Sequence, residues 1–222
     1  MEKRKKQLRK HNKIFLLLSF PAPDRCGKVT DIAFIMDASD SVDSQSYRIQ
    51  KDFVKAIAKS FGLQPGASRA GIILSGKKPT VNIKFDDYLQ TEDFIEAVDR
   101  LPHPRGHAGI DKVLDVALTQ LLANRGGARP GLGKILVLLT ANTQNQSLDT
   151  KLLDSVTRRL QQLGVALVVI GVGKQVDETL LRPLVTKGEN LFLERSFESL
   201  MLKARQVAQI TCDNAEIGRA HV

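Results

Sequence analysis

The residues best placed to do chemistry are Asp37, Ser39 and Ser41, in the run Asp37-Ala38-Ser39-Asp40-Ser41. A carboxylate followed by two hydroxyls at alternate positions gathers three oxygen donors on one short loop, and oxygen is what hard cations such as Mg2+ or Mn2+ select. The same spacing also suits a helix-capping turn, in which Ser39, Ser41 or Ser44 accepts from free backbone N–H groups. His103 and His107 have metal-like spacing but sit in Pro102-His103-Pro104-Arg105-Gly106-His107 without a cysteine or third histidine, so a solvated pair is expected there instead of a zinc site. Ser39 and Ser41 lack the Gly-x-Ser-x-Gly frame of a nucleophile elbow. Gly171-Val172-Gly173-Lys174 follows a strand but lacks phosphate-loop spacing. No enzyme is expected.

Two further groups carry covalent chemistry. Cys26 and Cys212 are the only cysteines, and they bracket everything that reads as folded. That placement suits a disulfide clamping the two ends in an oxidising compartment, with two buried cytosolic thiols as the alternative. Asn145-Gln146-Ser147 is a glycosylation sequon, used only if the chain is secreted.

These residues need elements to hold them. Val29–Met36, Arg69–Ser75, Lys134–Thr140 and Val165–Val172 are apolar runs without polar alternation, the pattern of strands buried on both faces. Thr80–Phe85 alternates as an edge strand does, one short hairpin after Arg69–Ser75, and Asn190–Leu193 is a last short strand. Helical spacing appears in Ser44–Gly62, Thr91–Leu101, Ile110–Ala123, Leu148–Leu163, Glu178–Val185 and Phe197–Ile210, and Arg125–Gly133 reads as an exposed linker. Strand and helix alternate, which predicts an α/β, Rossmann-like doubly wound fold. Its six-stranded sheet is mostly parallel, with one antiparallel edge strand and helices on both faces. In such sheets ligands bind beyond the carboxyl ends of the strands, where the Asp37–Ser41 loop falls.

The 222 residues hold 33 Lys+Arg and 24 Asp+Glu, with 42% hydrophobic residues, enough for one ordinary core. Residues 1–28 carry nine Lys/Arg and two acids, +7 of the formal +9, so residues 29–222 hold only +2. A nearly neutral domain offers no field for nucleic acid, and no nucleic-acid partner is expected. Within the basic segment 1–28, the short run Ile14–Phe20 is far below the roughly 20 residues of a membrane span. It reads as a signal peptide, a basic disordered arm or a spurious start. Residues 213–222 form a tail whose last six, Ile217-Gly218-Arg219-Ala220-His221-Val222, look like a translated sequencing adapter.

Asp31–Val42 (DIAFIMDASDSV), with SRAGIILSG, RGHAGIDKVLDVAL, KILVLLT and GVALVVIGVGK, resembles the von Willebrand factor type A domain from about Val29 to Cys212. It looks most like the extracellular matrix branch, collagen VI chains and matrilins. The resemblance implies a domain over residues 29–212 and pairing of Cys26 with Cys212. It also implies a metal-ion-dependent adhesion site with five protein positions on three loops. Asp37, Ser39 and Ser41 match that site, whereas Ala108 stands where the family usually has Thr and Ala141 where it has Asp. Asn142 and Asp111 carry oxygens near the right loops, and Asp111 is expected to lie a helical turn too far. A half-complete cage should hold Mg2+ or Mn2+ weakly at best. The implied function is non-enzymatic protein binding in matrix assembly or cell–matrix adhesion, extracellular and secreted. Its partners would be matrix proteins such as collagens, or other domains of a longer chain. The alternatives are a metal-dependent adhesion module with a weak Mg2+ site and an intracellular scaffold whose basic arm Lys3–Lys13 touches membrane or RNA.

Overall fold

The computed structural model describes residues 26–143 and 148–215; the basic segment up to residue 25, the sequon at Asn145 and the tail from residue 216 lie outside the described residues. The strands are Thr30–Asp37 (β1), Arg69–Ser75 (β2), Thr80–Ile83 (β3), Gly133–Asn142 (β4), Val165–Gln175 (β5) and Leu191–Glu194 (β6). They form one sheet in the order β3-β2-β1-β4-β5-β6, parallel throughout except for the β2–β3 edge pair. This is the doubly wound, Rossmann-like sheet expected from the runs of apolar residues.

The helices are Ser44–Phe61 (α1), Thr91–Asp99 (α2), Ile110–Val116 (α3), Thr150–Gln162 (α4), Glu178–Leu181 (α5) and Phe197–Asn214 (α6). Successive strand side chains point to opposite faces, so β1 feeds two cores. Ile32, Phe34 and Met36 pack under α1, α2 and α6. Ala33 and Ile35 pack under α3, α4 and α5. Each such fully buried Phe or Ile side chain contributes about 1.5–3 kcal/mol.

α1 shows how the sequence sets one element. Asp43 caps it by accepting from Ser46 N, Tyr47, Phe53, Val54, Ile57, Ala58 and Phe61 line its buried face, and Gly62 ends it at φ 61°. Few residues but glycine take that left-handed conformation cheaply.

Three expectations need correction. The helix read over Ile110–Ala123 stays α only to Val116 and loosens into a π-turn at Ala117–Leu121. The edge strand β3 stops at Ile83, because the next two backbone donors leave the sheet: Lys84 N donates to Asp87 Oδ2 at 2.7 Å and Phe85 N to Gly126 O at 3.0 Å. Arg125–Gly133 is not an exposed linker. Gly126 lies so close to the preceding turn that a Cβ would stand 2.0 Å from the Leu121 carbonyl oxygen. Arg129 donates to Asp31 Oδ1 at 2.6 and 2.8 Å and to Ala67 O at 2.7 Å, and its backbone N–H reaches Asp31 Oδ2 at 2.7 Å. Asp31 is fully buried, and a buried carboxylate needs such a partner.

Cys26 and Cys212 form a disulfide with a Cα–Cα distance of 5.7 Å across 186 residues. By the chain-entropy argument a loop of that length is worth about 5 kcal/mol. The bond ties α6 to the chain entering β1. The eight residues of β1, about 25 Å of strand, run from that entry to Asp37 at its other end.

Candidate functional site

The site is built where β1, β2 and β4 end together. Asp37 is level with Ser75 of β2, and the β1–β4 register, Ile35 opposite Leu138, brings it beside the Thr140–Ala141 step. Both of its carboxylate oxygens accept protein donors: Oδ1 from Ser39 N at 3.0 Å and Oδ2 from Ala141 N at 2.7 Å. The Asp37 side chain is 4% exposed.

Its backbone is clamped from below. Gln50 of α1, fully buried, accepts from Asp37 N at 3.0 Å and donates to Asp37 O at 2.8 Å. This residue was missed in the sequence. The signal was a polar side chain three residues from Tyr47 and from Phe53, inside the apolar stripe of α1, where a polar group must have a partner.

The two serines complete the loop. Ser39 Oγ accepts from Ser41 N at 3.3 Å, and Ser41 Oγ accepts from Asn142 Nδ2 at 3.0 Å. Asn142 reaches that position because β4 and β5 run on past Thr140 and Gly171, through a bulge, to pair Asn142 with Gln175. Gly171–Lys174 is therefore part of an extended strand. Ala108 and Ala141, at the two positions where the resemblance would put ligands, are buried at 7% and 8% exposure. Asp111 is fully buried on the first turn of α3 and accepts from Asp149 N, the cap of α4, at 3.3 Å.

A second loop lies over the first. Arg105, at φ 62°, donates its backbone N–H to Ala38 O and its guanidinium to Val42 O and Ser44 Oγ, while Asp40 N donates to Gly106 O. His103 corrects the expectation of a solvated histidine pair. Its ring stacks on Tyr47 with centroids 4.1 Å apart, and Tyr47 Oη donates to Pro102 O at 2.6 Å. Burial, and after it the neighbouring Arg105, holds the His103 imidazole below its ordinary pKa, and burial pushes the Tyr47 phenol up. His107 stays at the surface, with Nε2 3.8 Å from Asp40 Oδ2.

Among the described residues no group of three or more His, Cys, Asp or Glu side chains could hold a metal ion. Of the positions the resemblance matches, the loop supplies one carboxylate and two hydroxyls, while the exposed Asp40 lies beside His107. Both oxygens of the Asp37 carboxylate and Ser41 Oγ already accept hydrogen bonds from the protein. Mg2+ demands near-octahedral oxygen ligation, and this set does not fit a tightly held divalent ion.

The comparisons with known proteins agree with this architecture. Residues 31–206 match the family model for the von Willebrand factor type A domain. Von Willebrand factor A domain-containing protein 1 of Mus musculus is 28% identical over 144 residues, 65% of this chain and 34% of that protein. The protein 2 homologue of Xenopus laevis is 24% identical over 186 residues, 84% of this chain and 23% of its own. The chain thus spans about a third or less of these curated relatives. Proximal thread matrix protein 1 from the mussel byssus, solved with a zinc-occupied adhesion motif, superposes with a TM-score of 0.76 at 25% identity, over 85% of this chain and 47% of that one. Manganese-loaded TRAP protein of Plasmodium vivax, at 17% identity, shares the fold with a TM-score of 0.63 over 82% of this chain and 74% of its own. With a matching family model over most of its length and the doubly wound sheet that carries it, this chain belongs to the von Willebrand factor type A domain family.

Proposed function

We propose that the chain is a non-enzymatic, extracellular protein-binding module for matrix assembly or cell–matrix adhesion, and that its binding does not depend on a strongly held ion. Residues 29–212 form the module, and its partners are matrix proteins such as collagens or neighbouring domains of a longer chain. Membership of an interaction-domain family and the likeness to a mussel matrix protein support the adhesion reading. The Cys26–Cys212 bond supports an oxidising compartment and speaks against the intracellular scaffold. The observation that carries ion independence is Asp37, whose two oxygens are held by Ser39 N and Ala141 N instead of waiting for a cation.

A second reading keeps a weak Mg2+ or Mn2+ ion at Asp37, Ser39 and Ser41, favoured by the zinc-occupied motif of the mussel neighbour. Binding of the oxidised chain to immobilised collagen, measured in Mg2+ and again in EDTA, separates the two. Saturable binding that is equal in both buffers supports the first; binding abolished by EDTA supports the second. No binding to collagen in either buffer counts against collagens as partners.

A further inference from the structure

We infer that the Asn142 side-chain amide, together with the Ala141 backbone N–H, does structurally what a bound ion would do: it joins the loop after β1 to the end of β4 and balances its oxygens. This inference rests on the ion-independent reading above. Besides Ser39 Oγ, which accepts from Ser41 N, three loop oxygens need positive partners: the two of Asp37 and the Oγ of Ser41. Each has an N–H donor, from Ser39 N at 3.0 Å, Ala141 N at 2.7 Å and Asn142 Nδ2 at 3.0 Å. Two of the three come from β4 and bridge more than a hundred residues of chain back to β1. The Asn142 side chain is 4% exposed, so its amide bond to Ser41 is shielded from competing water.

An Mg2+ ion would have to sit about 2.0–2.1 Å from Ser41 Oγ. The NH2 group of Asn142 lies 3.0 Å from that same oxygen and directs one positive hydrogen at it. The amide takes up one of the two lone pairs through which that oxygen could bind an ion, and its positive hydrogen disfavours a cation beside it. Exchanging the donor for an acceptor, by Asn142→Asp, adds a negative charge beside Ser41 and leaves no donor at that lone pair. The chain's own side chain at residue 142 thereby decides whether the loop is closed by hydrogen bonds or open to a cation. Asn142 is a positioning residue in this scheme.

The test uses the full oxidised chain and thermal melting, with Mn2+ alone as the probe. Ser41→Ala and Asn142→Ala each lower the melting temperature by about 2–4 °C, the worth of one net hydrogen bond in a domain of this size. The double variant loses less than the sum, since both remove the same bond. Asn142→Asp acquires a rise in melting temperature with millimolar Mn2+ that Asp37→Ala abolishes, whereas the unaltered chain shows none. Additive losses in the cycle overturn the inference, as does a folded Asn142→Asp chain that ignores Mn2+. Neither result touches the ion-independent reading. A Mn2+-dependent rise in the unaltered chain, lost in Asp37→Ala, overturns that reading and the inference with it. If Asn142→Asp does not fold, the cycle of the two alanine variants decides.

Discussion

Replacing Asp37 by alanine separates a structural pin from an ion ligand. The carboxylate is buried and accepts two backbone N–H groups, Ser39 N and Ala141 N, at 3.0 and 2.7 Å. Hydrogen bonds to a charged group are worth about 1.5–3 kcal/mol each, and the two donors would be left unpaired in a site that water scarcely reaches. Part of the loss is returned, because the variant no longer buries a charge. A net loss of about 3 kcal/mol is expected, which in a domain of this size lowers the melting temperature by roughly 6–12 °C. The assay is thermal and urea unfolding of the oxidised chain, Asp37→Ala beside the unaltered protein, in EDTA and in millimolar Mg2+. The structural account requires the same large loss in both buffers. An ion ligand behaves otherwise: without its ion, a lone buried carboxylate is a burden, and its removal in EDTA is neutral or stabilising. A loss below about 1 kcal/mol in EDTA, against the expected range for such bonds, refutes the reasoning.

Further outcomes follow from the other buried groups. Arg129→Met leaves the fully buried Asp31 carboxylate with only a backbone donor and costs about 3–5 kcal/mol in urea unfolding, while pairing it with Asp31→Leu restores much of the loss. Reduction of Cys26–Cys212, read as the shift in unfolding midpoint with and without reductant, removes at most about 5 kcal/mol and frees the end of α6. Partial burial, and after it the nearby Arg105, holds the folded pKa of His103 below the ordinary 6.5. The unfolded chain therefore binds the proton more readily, so stability is full above pH 6.5 and falls as the pH drops from there towards the folded pKa. His103→Gln flattens that part of the stability–pH curve, which melting across pH 5–8 would record.

The sheet was legible because its strands are buried on both faces. Runs such as Lys134–Thr140 and Val165–Val172 leave no solvent face, and only helices on both sides can cover them. The Gly62 stop of α1 could be read too, since glycine has the freedom its left-handed turn needs, whereas the start is capped by Asp43 and not by Ser39, Ser41 or Ser44. What escaped the sequence was polar and long-range. Arg129 stands in a glycine-rich run that looks like a linker, and its partner Asp31 is 98 residues away. His103, between two prolines, reads as solvated, but the stack on Tyr47 comes from α1, far off in sequence. At the site, the resemblance named the residues of the loop and the missing ligands Ala108 and Ala141. It did not show that the backbone N–H of Ala141 reaches Asp37 Oδ2, because main-chain donors are invisible to residue identity. Nor did it give Asn142 its orientation, which depends on the bulge that carries β4 and β5 beyond Thr140.

The most direct measurement is a calorimetric titration of the unaltered oxidised chain with Mn2+, with Asp37→Ala as the control. The account predicts no saturable heat at millimolar ion and no difference between the two chains. A saturable site in the unaltered chain that disappears with Asp37 would contradict it, and would return the loop from Asp37 to Ser41 to the metal-dependent class.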